Sequence, residues 1–192
     1  PIIAYSDYKE FVPTSCGKEV VHMEVKIDSE DPQHVAGEIL ARGMNVMLGY
    51  YKNEEATAQA IDKEGWYHTG DLGLMDKDGN IFIKGRSKNM LLGANGQNIY
   101  PEEIEDKINS LPLVLESVVI QRDQKLVALI HPDFDEVHNM GLSDDDLQTL
   151  MEQNKQTLNA TLPAYCKISA IKIQEDEFEK TPKKSIKRYL YQ

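Results

Sequence analysis

The hydrophobic pattern of this chain changes near residue 86, and that change constrains the fold more than any other feature. Before it, apolar and polar residues alternate in short runs, which is typical of half-buried strands. Two of these runs flank the turn-forming residues 76–80 and predict a hairpin. The predicted strands cover residues 17–27, 38–41, 72–75 and 81–83, and one short predicted helix covers 53–62. The first part of the chain is therefore predicted to be β-rich.

After residue 88, helical and strand patterns follow one another. Pro101 and the acidic residues behind it begin a helix, because proline fits the first turn and acids favour the helix dipole. Ser143 and Asp146 resemble a capping box, and Pro163 ends that helix. The predicted elements are a helix from Pro101, strands over 114–121 and 125–130, a helix over 143–162, a strand over 168–174, and a short final helix from Thr181 carrying Ile186 and Leu190. This order predicts a small α+β unit with a three-stranded sheet.

Length and composition indicate a globular protein of one or two small domains. The 192 residues are 41% hydrophobic and 28% charged. No apolar run approaches the roughly 18 residues that span a bilayer, and no signal peptide is evident. Cys16 and Cys166 are expected to be free, buried thiols, which favours a reducing, cytoplasmic location. Since the chain opens on Pro1 and an apolar run, we expect it to be cut or processed from a longer polypeptide.

The charge of the chain is uneven. A net charge of −11 argues against a dedicated nucleic-acid binder, because phosphate contacts need local positive charge. Five basic residues and no acidic ones nevertheless lie between Lys180 and Gln192. Such a tail is consistent with a solvated face, with a patch for a membrane surface, or with contacts to a polyphosphate.

No metal site is predicted. The five histidines are scattered without zinc-ligand spacing. Asp76, Asp78 and Asn80 have the spacing of a calcium loop, but Ile81 and Ser87 stand where that loop needs glycine and glutamate. We therefore interpret residues 76–80 as a turn.

Two glycine-containing segments have the residue types of a nucleotide site. In residues 65–72, Gly70 leaves room beside the backbone, and Asp71 offers a carboxylate that suits two vicinal hydroxyls of a ribose. In residues 85–101, Arg86 and Lys88 precede a glycine loop and then a helix, which suits a phosphate. The alternative interpretations are a turn capped by Asp71 and an ordinary hairpin with surface charges.

Taken together, these segments resemble the adenylate-forming superfamily, which includes acyl-CoA synthetases, luciferases and the adenylation domains of nonribosomal peptide synthesis. The similar segments are residues 37–43, 49–57, 67–72 and 85–105, within a resemblance that spans roughly residues 17–191. The stretch Asn98 to Glu105 is most similar to the long-chain fatty acyl-CoA ligases.

The resemblance implies roles for individual residues. Asp71 would bind the ribose hydroxyls of ATP and of the acyl-adenylate, and Arg86 would contact the same ribose and phosphate region. Lys88 would be the hinge, and Gly96 would approach the CoA tunnel. The family's essential lysine lies three residues before the arginine that matches Arg188.

That lysine position is occupied by serine here. Counted without gaps, it is Ser185, so we expect the neighbouring Lys184 to serve, with Lys183 as the alternative. A third possibility is that the lysine-dependent step is altered. The step needs positive charge at the α-phosphate while pyrophosphate leaves.

The resemblance also implies domains and an activity. Residues 1–86 would be the last β subdomain, a partial barrel, of the large AMP-binding domain, and residues 89–192 a mobile α+β lid. The expected reaction joins a long-chain fatty acid to CoA using ATP, in lipid metabolism. The phosphate loop and the Mg²⁺ ligands would lie outside this chain, so the chain alone is expected to be inactive.

Three rival interpretations stay open. The parent could load a carrier protein instead of CoA, because the discriminating residues lie outside the chain. The Ser185 departure is compatible with a non-catalytic interaction module. The basic tail is compatible with peripheral membrane contact, which salt would weaken.

Overall fold

A computed structural model describes residues 1–192 and divides them into two compact units, Pro1–Asn89 and Met90–Gln192. The first unit is mainly sheet. Its elements are β1 (Ala4–Tyr5), β2 (Lys18–Glu19), β3 (Met23–Asp28), β4 (Gly37–Gly43), α1 (Glu54–Ala60), β5 (Tyr67–Met75) and β6 (Ile81–Arg86). Strands β3-β4-β5-β6 form an antiparallel sheet in that order, and β1 pairs with β2. Ile27, Ile39 and Ile81 form its buried core.

The prediction of one continuous strand over residues 17–27 is wrong. The segment forms two strands, β2 and β3, which pair with different partners, β1 and β4. His22 lies between them with φ +65°, a left-handed conformation that interrupts an extended chain. Val21 is 77% exposed, so its place in the alternation does not reflect burial.

The hairpin predicted around residues 76–80 is confirmed as β5 and β6, and its turn is built on one carboxylate. Asp76 accepts hydrogen bonds from the backbone N–H groups of Asp78 and Asn80 at 2.9 and 2.8 Å. The Asn80 side-chain amide donates a further bond at 2.8 Å. These bonds lower the pKa of Asp76, and the bond from the Asn80 side chain has the largest effect. The Asp76 carboxylate, the first group of the calcium-like spacing, therefore serves the turn.

The second unit combines helices with a small sheet. Its elements are β7 (Leu91–Leu92), β8 (Asn98–Ile99), α2 (Pro101–Ile108), β9 (Val114–Arg122), β10 (Lys125–Pro132), α3 (Phe134–Asn139), α4 (Asp144–Thr161) and β11 (Ile168–Ile173). The sheet order is β11-β10-β9, with β9 antiparallel and β11 parallel to β10. The parallel pair needs a crossover connection, which α3 and α4 provide. The predicted α+β class and three-stranded sheet are confirmed, whereas α3 was not predicted.

Both faces of this sheet are covered. Alternate strand residues such as Val119 and Ile130 belong to a core shared with α2 and α4. Val118 and Ile120 point to the opposite face, where Phe178 is 2% exposed and the C-terminal tail packs. The tail is thus part of the fold.

The helix predicted from Thr181 is wrong. Residues 180–186 form a loop closed by an antiparallel bridge between Lys180 and Ile186, and only Arg188–Leu190 form a short 3-10 helix. Lys184 has φ +61°, which no helical residue adopts. The Thr-Pro pair starts a turn here, since the Thr181 carbonyl accepts the N–H of Lys184 at 2.8 Å.

The capping box of α4 supplies a stability test. Ser143 and Asp146 satisfy each other's backbone N–H groups. We expect Ser143→Ala to lower the free energy of unfolding by about 1 kcal/mol in urea titrations at pH 7. The exposed Thr149→Ala on the same helix should change it by less than about 0.5 kcal/mol.

The same box predicts a pH dependence. The hydrogen bond from the Ser143 hydroxyl lowers the pKa of Asp146. The ionised carboxylate therefore stabilises the fold, and this contribution is complete at pH values above the ordinary pKa of an aspartate. That contribution is lost as the pH falls through the lowered pKa. The difference between wild type and Ser143→Ala should therefore shrink in acid to the part due to the Asp146 N–H, which the Ser143 hydroxyl accepts at any pH. An undiminished difference at pH 2 would contradict this account.

Candidate functional site

Asp71 and Arg86, predicted from separate segments, form a pair. They are register partners on β5 and β6, and Arg86 Nε lies 3.1 Å from Asp71 Oδ1. The Asp71 side chain is 33% exposed and that of Arg86 58%, so both groups are accessible from solvent. The sheet thus presents a carboxylate acceptor beside a guanidinium donor.

The backbone before Asp71 is held in an unusual conformation. Gly70 lies inside β5, rather than before a strand as expected, with φ +72°. Its N–H donates to Glu38 Oε1 at 2.9 Å, and His68 Nδ1 lies 2.9 Å from Glu38 Oε2. The register of β5 shifts against both neighbouring strands in this region. One carboxylate on β4 therefore holds the bend in β5 directly before Asp71.

Thr69 connects this bend to the pair. Its hydroxyl donates to the Ile39 carbonyl at 2.7 Å and accepts the Asp71 N–H at 3.0 Å. Its carbonyl accepts a hydrogen bond from Arg86 Nη1 at 2.9 Å. The backbone of Asp71 and the side chain of Arg86 are thus anchored to the same residue. Tyr67, at the start of β5, has its pKa raised by burial, so its phenol stays protonated at neutral pH.

The structure places Lys88 and Gly96 in separate short elements. Lys88 lies in the 3-10 helix Ser87–Asn89, directly before the boundary between the two units. Gly96 lies in the turn between β7 and β8 with φ +78°, and a Cβ there would meet no other atom within 4 Å. Its N–H donates to the Gly93 carbonyl at 2.8 Å.

The tail loop brings Lys183, Lys184 and Ser185 together in one tight turn. The Thr181 N–H donates to the Ser185 carbonyl at 2.8 Å, which closes the turn. Lys183 and Lys184 are exposed, and across the 192 described residues neither ammonium group has a partner.

The remaining basic residues of the tail are paired. Lys180 Nζ lies 2.8 Å from Glu116, and Lys187 Nζ lies 3.0 Å from Glu179. Arg188 pairs with Glu105 of α2. Of the five basic residues, the two loop lysines are therefore the ones available to an outside anion.

Two contacts beside the candidate residues were not predicted. The Glu38–His68 contact joins neighbouring strands, and only their register reveals it. Glu105 was interpreted as a dipole-favouring acid, although it lies on the buried face of α2 with Ile104 and Ile108. Its position on that face was the signal available in the sequence.

Two kinds of feature are absent from the 192 described residues. The chain has no group of three or more His, Cys, Asp or Glu side chains that suits a metal ion. None of its helices has the length and apolar character that crossing a bilayer requires.

Residues 88–191, more than half of the chain, match the family described as AMP-binding enzyme C-terminal domain. The chain belongs to the AMP-binding enzyme family. The resemblance predicted from the sequence is thereby confirmed. In this family context, the second unit described above contains most of the matched C-terminal domain.

Several proteins similar to this chain are CoA ligases of different kinds. A long-chain-fatty-acid–CoA ligase of Gallus gallus is 40% identical over 118 residues, covering 61% of this chain and 15% of that protein. A 2-succinylbenzoate–CoA ligase of Bacillus cytotoxicus is 37% identical over 123 residues, covering 62% of this chain and 25% of that protein. The anthranilate CoA ligase AuaEII, crystallised with anthranoyl-AMP, superposes with a TM-score of 0.78 at 27% identity, covering 95% of this chain and 34% of that chain. This chain thus spans a quarter or less of these two curated relatives.

Proposed function

We propose that this chain is the C-terminal part of an ATP-dependent acyl-CoA ligase. The family match carries the proposal, and the CoA ligases among its relatives support the acceptor. In the first half-reaction, a carboxylate oxygen attacks the α-phosphorus of ATP, and the bond to pyrophosphate breaks. In the second, the CoA thiol attacks the acyl carbon of the adenylate, loses its proton, and releases AMP.

In this proposal, Asp71 and Arg86 bind the nucleotide. The Asp71 carboxylate accepts hydrogen bonds from the two ribose hydroxyls, and Arg86 donates to the ribose and phosphate region. Charge-assisted bonds of this kind are about twice as strong as neutral ones. The Thr69 and Glu38 contacts support the proposal, because they hold the Arg86 side chain and the backbone at Asp71 before ligand arrives.

Lys184 is assigned to the α-phosphate during adenylation. Its ammonium group is exposed and unpaired, and its left-handed φ of +61° is a conformation that disfavours a side chain. Strain of this kind concentrates at functional sites, which favours Lys184 over Lys183. Ser185 occupies the ungapped family position but supplies no charge.

Lys88 and Gly96 are assigned to the second half-reaction. Rotation about Lys88 would exchange the tail lysine for the Gly96 turn at the active site. The unit boundary after Asn89 supports a hinge there. The open space around Gly96 is compatible with close approach of CoA to the backbone.

This chain has no group of three or more His, Cys, Asp or Glu side chains that could hold a metal ion, and in this proposal the Mg²⁺ ligands lie outside it. The proposal therefore assigns no magnesium ligand and no metal-dependent step to this chain. A long-chain fatty acid is the proposed substrate because of the Gallus gallus relative, and the 2-succinylbenzoate ligase marks the main competing class of acid. We place the parent enzyme in the cytoplasm, with the two free lysines as the candidate contact if it also touches membranes.

One observation favours a second candidate, a non-catalytic module of the same fold. The family lysine position is Ser185. The two candidates are distinguished by incubating the parent protein with ATP, CoA and acids of graded chain length. AMP and acyl-CoA formed in equal amounts with palmitate support the ligase, whereas no acid-dependent AMP with any acid supports the module. Transfer of the acyl group to a carrier protein but not to CoA would instead establish an adenylation domain that loads a carrier protein.

The strain at Lys184 gives a stability prediction for the 192-residue chain. Lys184→Gly removes a left-handed side chain, so we expect the free energy of unfolding to stay level or rise by up to about 1 kcal/mol. Lys183→Gly, the matched control next to it, has no such strain to relieve and should lower it by about 0.5–1 kcal/mol. Urea titrations measure both, and equal shifts in the two variants would argue against strain at Lys184.

A further inference from the structure

The strongest unassigned feature is a buried ion pair beneath the tail. Glu105 on α2 and Arg188 at the end of the tail are 9% and 15% exposed in their side chains. Arg188 Nη2 donates to Glu105 Oε2, while Glu105 Oε1 accepts the backbone N–H of Val119 at 2.5 Å. One carboxylate thus joins α2, the central part of β9 and the tail.

This carboxylate depends on its partners. Burial raises the pKa of Glu105, and the Arg188 charge and the Val119 N–H oppose that rise. A buried charge that loses its partner is costly, so the fold favours the geometry in which Arg188 stays in place. Glu102, whose Oε1 lies 4.0 Å from Arg188 Nη2, is the other acid near the guanidinium.

Arg188 lies directly behind the lysine loop, so its anchor also limits where that loop points. Ile186, at the end of the loop, and Tyr191, beyond Arg188, pack against the cluster formed by Phe178 and neighbouring strand residues. The Lys187 N–H donates to the Glu179 carbonyl at 2.8 Å. Because these apolar contacts do not involve Glu105, the tail can stay attached to the sheet without it.

We propose that Glu105 is a positioning residue that, through Arg188, fixes the direction in which the Lys184 ammonium group is presented. The inference rests on the proposed role of Lys184 in adenylation. Glu105 itself touches no substrate in this account. Its loss is expected to loosen the loop while the three-stranded sheet stays folded.

Hydrogen exchange on the 192-residue chain tests the anchor without reference to activity. In Glu105→Gln, we expect the amides of Lys184 and Lys187 to exchange at least tenfold faster, while those of Val127 and Leu129 in β10 are unchanged. Arg122→Gln is the matched control, since Arg122 also donates to the tail, at 3.4 Å to the Tyr191 carbonyl, but from the surface. Unchanged loop exchange, or equal acceleration in β10, would overturn the proposal.

A double-mutant cycle in the parent enzyme tests the purpose of the anchor. We expect Glu105→Gln to slow adenylation about tenfold, to spare thioester formation from preformed acyl-AMP, and to cause no further loss in a Lys184→Ala background. An equal loss in both half-reactions, or an undiminished effect without Lys184, would overturn the positioning role. If Glu105→Gln does not fold, Arg188→Lys replaces it, because it retains the charge and loses the fork geometry. An inactive wild type would refute the proposed function, whereas the exchange experiment would still decide whether Glu105 holds the loop.

Discussion

Lys184→Ala in the parent enzyme is expected to slow acyl-adenylate formation by about 10²–10³-fold. A positive charge aimed at the α-phosphate stabilises charge that develops only in the transition state, and losing one such group has an effect of this size. Thioester formation from preformed acyl-AMP should survive, because the lysine is not assigned to that step. Pyrophosphate release and acyl-CoA formation measure the two half-reactions separately.

Lys183→Ala is the matched control for that experiment. Lys183 is also exposed and unpaired, yet it is not assigned to the phosphate, so we expect less than about a threefold change. Moving the ammonium group to the family position with Lys184→Ala/Ser185→Lys should restore part of the adenylation rate. Normal adenylation in Lys184→Ala, or the large loss in Lys183→Ala instead, would contradict the assignment.

Asp71→Asn carries the second large effect. Two charge-assisted hydrogen bonds to the ribose would each weaken, and hydrogen bonds to charged groups contribute about 1.5–3 kcal/mol. We therefore expect kcat/KM for ATP to fall by about 10- to 100-fold. The surface Asp78→Asn, the same chemical change in the β5–β6 turn, should leave it unaltered.

The free energy of unfolding should change little in Asp71→Asn, although kcat/KM for ATP falls. The Asp71–Arg86 pair is partly exposed, and pairs of this kind contribute little to folding. Asp71→Asn should thus unfold at nearly the same urea concentration as wild type. A kinetic loss matched by a comparable loss of stability would mean that Asp71 supports the fold rather than the nucleotide.

The parts of the fold that follow from local signals could be predicted from the sequence. The helix begun by Pro101, the capping box at Ser143 and the hairpin around residues 76–80 each depend on residues within one or two turns of each other. The prediction of a final helix was wrong because contacts outside the segment decide its conformation. Thr181 and Pro182 are compatible with a helix start, but the bridge from Lys180 to Ile186 and packing on the sheet decide the conformation.

In the candidate site, too, the local features could be predicted from the sequence, whereas the contacts between distant residues could not. Asp71 and Arg86 were identified by residue type and neighbouring glycines, but their pairing depends on the β5–β6 register. Glu38 contacts Gly70 from 32 residues away, and Glu105 contacts Arg188 from 83 residues away. No periodicity within one element indicates such partners. The two contacts become evident only in the folded structure, and both glutamates hold a proposed functional group in place.

The most direct measurement follows the products formed from palmitate, ATP and CoA by the parent enzyme, with mass-spectrometric detection. We expect AMP, pyrophosphate and palmitoyl-CoA in equal amounts, an acyl-AMP intermediate when CoA is omitted, and none of these products from residues 1–192 alone. ADP formation, or AMP formation that does not depend on any added acid, would contradict this expectation.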